Sequence, residues 1–168
     1  MSDALLEAFR HNTWATRELL AFCRDLSAEQ LASAGTGAYG DVLATFDHIV
    51  RWDAIYARRL AGGEADQGSH ESLDLDQLAA RVEETGRLWE QLLSGPIDAE
   101  RVIVVDRGAN EVRAGIFVAQ ALHHGNAHRE QICATLTGLG IEPPDIQAWE
   151  YAWATGRLWE RAAGDRSV

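Results

Sequence analysis

Ala114-Gly-Ile-Phe-Val-Ala-Gln-Ala-Leu-His-His-Gly-Asn-Ala-His-Arg-Glu-Gln-Ile-Cys-Ala-Thr-Leu-Thr-Gly-Leu139 decides the fold. The stretch contains no proline, and Ile116, Phe117, Ala119, Gln120, His124, Ala127, His128, Gln131, Ile132, Thr135 and Leu136 keep helical spacing. It predicts one long helix closed by Gly138 and Gly140. Just upstream, the β-branched run Arg101-Val-Ile-Val-Val-Asp106 and the turn-forming Arg107-Gly108-Ala109-Asn110 predict a short strand, or a small hairpin with Glu111-Val-Arg113.

Further upstream the same periodicity recurs. Leu5, Leu6, Phe9, Trp14, Leu19, Leu20, Phe22 and Cys23 form a first helix, which stops at the capping box Ser27-Ala-Glu-Gln30. A loop from Ser33 to Gly40 leads to Asp41, an N-cap, and a second helix carrying Phe46, Ile49, Val50, Ile55, Tyr56 and Leu60 to Gly62-Gly63. After the polar connection Glu64 to Ser72, Asp74 with Gln77 starts a third helix that reaches Gly95-Pro96. Downstream, Pro143-Pro144 is expected to start a last helix with Trp149, Tyr151, Trp153, Leu158 and Trp159 as its aromatic stripe. The expected fold is all-α: a single domain over residues 1–168, built as a four-helix bundle with an additional C-terminal helix and at most a short strand or hairpin before the fourth helix.

Composition narrows the function. With 46% hydrophobic and 24% charged residues the chain is expected to pack one core. Its net charge of -11 repels phosphate backbones and anionic head groups, so neither nucleic acid nor membrane surface is an expected partner. The N-terminus lacks the basic start and apolar run of an export signal, and charges interrupt every apolar stretch. A cytoplasmic protein is expected, with Cys23 and Cys133 as buried, inert thiols.

Bundle sites are built from inward-facing side chains, which directs attention to the histidines. His124 and His128, one turn apart, share a face with Ala127, Gln131 and Thr135 that continues the core side of the long helix, whereas His123 points about 100° away. Two imidazoles turned inward must be desolvated, and a bound cation removes that cost. His48 is the better third ligand, flanked by Phe46, Ile49 and Val50; His11, beside Asn12 and Trp14, is its rival. His70 and His123 are read as surface or satisfied interior residues. Gly125 stands where a zincin peptidase has its catalytic glutamate, and the Glu-x-x-His pairs of di-iron bundles are missing, so a single-ion site of another kind is expected. Asp41, Trp52 and Gln131 are the candidate groups around it. Arg129, turned about 100° from His128, is expected to form an ion pair or a dimer contact.

The order of these motifs resembles the DinB family, which includes the YfiT-like proteins. The resemblance is carried by Asn12-x-Trp14-Ala15, Thr45-Phe-Asp-His48-Ile49, His124-x-x-x-His128-Arg129-x-Gln131, Leu139-Gly140, Pro143-Pro144 and Trp149-x-Tyr151, and covers nearly the whole chain. It implies a four-helix bundle, often a homodimer, with one divalent ion such as zinc or nickel on His48, His124 and His128. Family members of known activity are thiol-dependent: mycothiol-dependent isomerases, and transferases that join bacillithiol, mycothiol or glutathione to electrophiles. His123 and Glu130 depart from the Asn and Gly that the family often carries there.

A neutral three-histidine set leaves a coordination position open, as catalytic rather than structural zinc sites do. The leading expectation is therefore a metal-dependent enzyme acting on a small molecule, by S-transfer from a low-molecular-weight thiol. The alternatives are a hydrolase using metal-activated water, with Gln131 orienting it, and a non-catalytic metal-binding, stress-related dimer.

Overall fold

The computed structural model describes residues 3–63, 72–105 and 108–160. The helices are α1 (Asp3–Cys23), α2 (Ala28–Leu31), α3 (Val42–Leu60), α4 (Leu75–Ser94), α5 (Ala114–Gly138) and α6 (Ala148–Ala154); the strands β1 (Val102–Val105) and β2 (Asn110–Arg113) lie between α4 and α5. The expected all-α bundle is present, with its hairpin. His70 lies outside the described residues.

Local chemistry sets the helix starts. Ser27 accepts from Gln30 N–H while Gln30 Oε1 accepts from Ser27 N–H, which starts the single turn of α2. Asp41 Oδ1 accepts from Ala44 N–H at 2.7 Å, and Asp74 and Gln77 form a second reciprocal box. Each satisfies amide donors that the first helical turn leaves without partners. The hairpin pairs Val102 with Arg113 and Val105 with Asn110, burying Ile103 and leaving Val102 and Val104 outside, as period-2 alternation requires.

The four long helices close into a ring: α1 packs on α4 and α5, and α3 packs on α4 and α5. Two apolar clusters fill it. One gathers Leu19, Phe46, Ile49, Val50, Ile132 and Leu136; the other gathers Phe9, Tyr56, Trp89, Phe117 and Ala121. Each fully buried large side chain among them contributes about 1.5–3 kcal/mol. Polar residues are set among the apolar ones along α1, α3 and α5: Asn12 and Thr16, His48 and Asp53, His124 and Arg129. This polar layer positions the site. Among the described residues no helix is long and apolar enough to cross a membrane.

The C-terminal helix departs from expectation. It starts at Ala148, not at Pro143-Pro144, and is one short element of seven residues. Pro143 and Pro144 carry no N–H, and proline biases the residue before it toward extended backbone. Ile146 is buried, with its carbonyl bonded to His11 Nε2 at 2.8 Å, and Gln147 is the N-cap. The aromatic stripe is not formed either. Tyr151 alone is buried, while Trp149 (72%), Trp153 (52%) and Trp159 (70%) stay exposed, and Leu158 lies outside the helix. Residues two apart on a helix diverge by about 200°, so Trp149 and Trp153 cannot share the face of Tyr151.

Candidate metal centre

α3 and α5 lie side by side, and their facing stripes bring three imidazoles together. His48, His124 and His128 each offer a ring nitrogen, and these three atoms lie within 4.8 Å of one another. Among the described residues this is the one group of three or more His, Cys, Asp or Glu side chains so arranged. His48 Nε2 and His124 Nε2 are 2.9 Å apart, and the three ring centroids are separated by 4.5–4.7 Å. His11 is not part of the group: it packs against Trp14 and Tyr151 and bonds Ile146, fastening the C-terminal segment to α1. His123 is exposed.

Gln131, one turn beyond His128, has a defined task. Its Oε1 accepts from His128 Nδ1–H at 2.8 Å and from Tyr39 N–H at 3.3 Å. A partner on the second ring nitrogen fixes the tautomer and aim of a ligating histidine. Gln131→Leu is expected to weaken metal affinity by about 10–100-fold without unfolding the protein, a loss readable by competition with a chromophoric chelator.

Aromatic rings wall the group. Tyr39 stacks on His48 at 3.7 Å and 22°, Trp52 stands 6.2 Å from His48, and Tyr56 meets His124 edge-on at 5.8 Å. A cavity of about 510 Å³ opens beside His48, lined by Tyr39, Asp41, Asp47, Arg51 and Trp52 among others. Trp52 and Asp41 are therefore cavity residues, though the Asp41 carboxylate is engaged as the α3 cap. Tyr39 escaped the sequence reading because it sits in a loop without period. The available signal was a bulky aromatic among small residues shortly before a candidate ligand. A second cavity of about 580 Å³, between α1 and α4, has no histidine in its lining.

The donors fit a divalent ion that favours imidazole. Burial, helped by the nearby His128, lowers His48 to about 4 against the upward pull of Asp47; burial, with His128, His48 and His123, lowers His124 to about 4. Both rings are thus neutral at pH 7, the form that binds metal.

Arg129 lies one residue past His128 and is only 2% exposed. Among the described residues it makes no ion pair of the expected kind. Its Nη1 donates to Asn12 Oδ1 (2.8 Å), Thr16 Oγ1 (3.0 Å) and Asn12 O (3.3 Å), tying α5 to α1. Burial draws it down to about 10, opposed by the carboxylate of Asp53. Asp53, which accepts from Trp89 Nε1 at 3.0 Å, is in turn pushed up by burial to about 6. Gly125 sits against this cluster: a Cβ there would fall 2.6 Å from Asn12 Oδ1 and 2.9 Å from Arg129 Nη1. Position 125 therefore faces α1, so a glutamate there could not serve the histidines.

These shifts set a pH dependence. For the two histidines the folded pKa lies below the unfolded 6.5, so between about 6.5 and 4 the unfolded chain binds more protons, and stability falls as the pH drops. Asp53 acts oppositely: raised from 3.8 to about 6, it costs stability as the pH rises through that window. Two histidines against one carboxylate leave a net loss on acidification. The urea midpoint of metal-free protein is expected to be lower at pH 5 than at pH 7; equal midpoints would contradict this.

A helical bundle with three histidines gathered from two neighbouring helices is one that could hold a metal ion. The chain belongs to the DinB family, whose profile matches residues 1–163. It matches none of the curated proteins with which it was compared.

Proposed function

We propose that the protein is a metal-dependent enzyme that transfers a small thiol to an electrophilic substrate. The observation that carries this is the His48–His124–His128 group, whose His48 and His124 rings are neutral at pH 7, bordered by a cavity of about 510 Å³. A divalent ion held there, zinc or nickel, supplies uncompensated positive charge at an open position, which acidifies a thiol or water placed beside it.

The chain's own residues do the rest. His48 and His124 present unprotonated nitrogens, Gln131 orients His128, and Tyr39, Trp52 and Tyr56 wall the group. Neither thiol of the chain is suited to be the nucleophile, since burial pushes Cys23 up to about 12 and Cys133 up to about 11. A nucleophilic sulfur therefore comes from a cosubstrate. Its S–H bond breaks, the proton passes to solvent, and a C–S bond forms as the leaving group departs with its electron pair.

The hydrolytic alternative assigns Gln131 to orienting water, but its carbonyl oxygen is already taken by His128 and by Tyr39 N–H. This favours S-transfer. The reading includes a homodimer in the reducing cytosol, supported by the family resemblance and by the two unpaired cysteines. The test is to incubate metal-loaded protein with a panel of low-molecular-weight thiols and a chromogenic electrophile. Conjugation lost with chelator and in His48→Ala supports the proposal. Chelator-sensitive ester or amide turnover without conjugation would instead establish the hydrolase, and metal uptake with neither activity the non-catalytic dimer.

A further inference from the structure

Tyr39 is the one ring of the site supplied by a loop, and that loop is fastened to the ligand-bearing helix. Its ends meet in an Ala34–Asp41 bridge and a Val42 N–H to Ser33 carbonyl bond. Gly35 seats so closely on α5 that a Cβ there would fall 2.5 Å from Thr135 Oγ1. Tyr39 N–H bonds Gln131 Oε1, about one turn before Thr135. Gln131 and Thr135 continue the stripe of His124 and His128, so one helix face sets both the ligands and the loop.

One face of the Tyr39 ring lies against His48, yet the residue remains 58% exposed. Its other face is therefore open. Tyr39 and Trp52 line the same cavity as His48, together with the apolar side chains of Leu43, Ile55 and Leu73. Flat rings gain from offset stacking on such a surface, and saturated rings of equal size do not.

We infer that Tyr39 determines specificity: with Trp52 it binds a planar aromatic or conjugated substrate beside the histidine group. The inference rests on the reading that substrate occupies the cavity next to His48, and it is tested without turnover. Metal-loaded protein is titrated by calorimetry with benzyl alcohol and with its saturated-ring counterpart cyclohexylmethanol, which require no reaction to be measured. The wild-type protein should bind the flat ring about tenfold more tightly. Tyr39→Leu should bring that ratio close to one with metal content unchanged, and Tyr39→Phe should keep it. Because the side chain is exposed, neither variant threatens the fold, and far-UV circular dichroism checks this. A wild-type ratio near one, a ratio that survives Tyr39→Leu, or one lost equally in Tyr39→Phe would overturn the inference. Thiol transfer can fail in its own assay while this ratio holds, and the ratio can fail while transfer is observed, so the two readings fall separately.

Discussion

His124→Ala is expected to abolish stoichiometric metal binding while leaving the metal-free fold intact. His124 is 8% exposed, its Nε2 lies 2.9 Å from that of His48, and its ring stands 4.5 Å from His128. Removing it leaves two imidazoles on different helices and no third donor group among the described residues. The affinity loss should go well beyond the roughly 10–100-fold cost of deleting a supporting partner such as Gln131. The metal-free variant is spared the desolvation that holds this imidazole near 4, which offsets part of the lost packing. Two measurements check this. Elemental analysis of protein purified without a metal-binding tag should find one equivalent in the wild type and none in the variant. Metal at about 100 times Kd should stabilise the wild type by about 2.7 kcal/mol, raising Tm on the order of 5–10 °C, and should not move the variant. A variant that keeps one equivalent would refute the ligand assignment.

Gly125→Ala is expected to destabilise the protein although alanine favours helix. Exchanging an interior helical glycine for alanine ordinarily gains about 1 kcal/mol. Here the new methyl would press on Asn12 Oδ1 and Arg129 Nη1, which are bonded to each other at 2.8 Å and buried at 4% and 2% exposure. Moving them apart strains the α1–α5 contact and leaves buried polar atoms unpaired in a layer where Arg129 Nε has no hydrogen-bond partner among the described residues. The net cost is about 2–3 kcal/mol, a fall in Tm on the order of 4–12 °C. Thermal unfolding of metal-free protein measures it. An unchanged or raised Tm would show that the contact yields without cost.

The parts legible in the sequence were those set by local rules. Ser27 with Gln30, Asp41, and Asp74 with Gln77 cap where expected, because a cap depends on residues within one turn. His48, His124 and His128 were readable because helical period fixes which face a residue occupies, and Gln131 followed from the same stripe. What escaped depends on packing between distant segments. Tyr39 reaches His48 from a loop whose path is set by Gly35 on Thr135 and by Gln131, and no period announces such a path. Of the two expectations for Arg129, the ion pair is not formed among the described residues: a charged side chain is ordinarily solvated or paired with a carboxylate, whereas this one is taken up by Asn12 and Thr16 of another helix. The C-terminal segment misled for a related reason: its tryptophans have the spacing of a helix, but only Tyr151 finds a surface to cover.

The carbonyl oxygen of Gln131 has two lone pairs, and the molecule uses one for an imidazole and the other for a main-chain amide of the preceding loop. A single atom thereby sets both the aim of His128 and the seat of the aromatic wall above it. A glutamate at this position would present an anion to both donors, tightening them together, and a leucine would release them together. Tuning one without disturbing the other therefore has to be done elsewhere, at a position such as Gly35 that belongs to the loop and packs on Thr135 rather than on the histidines.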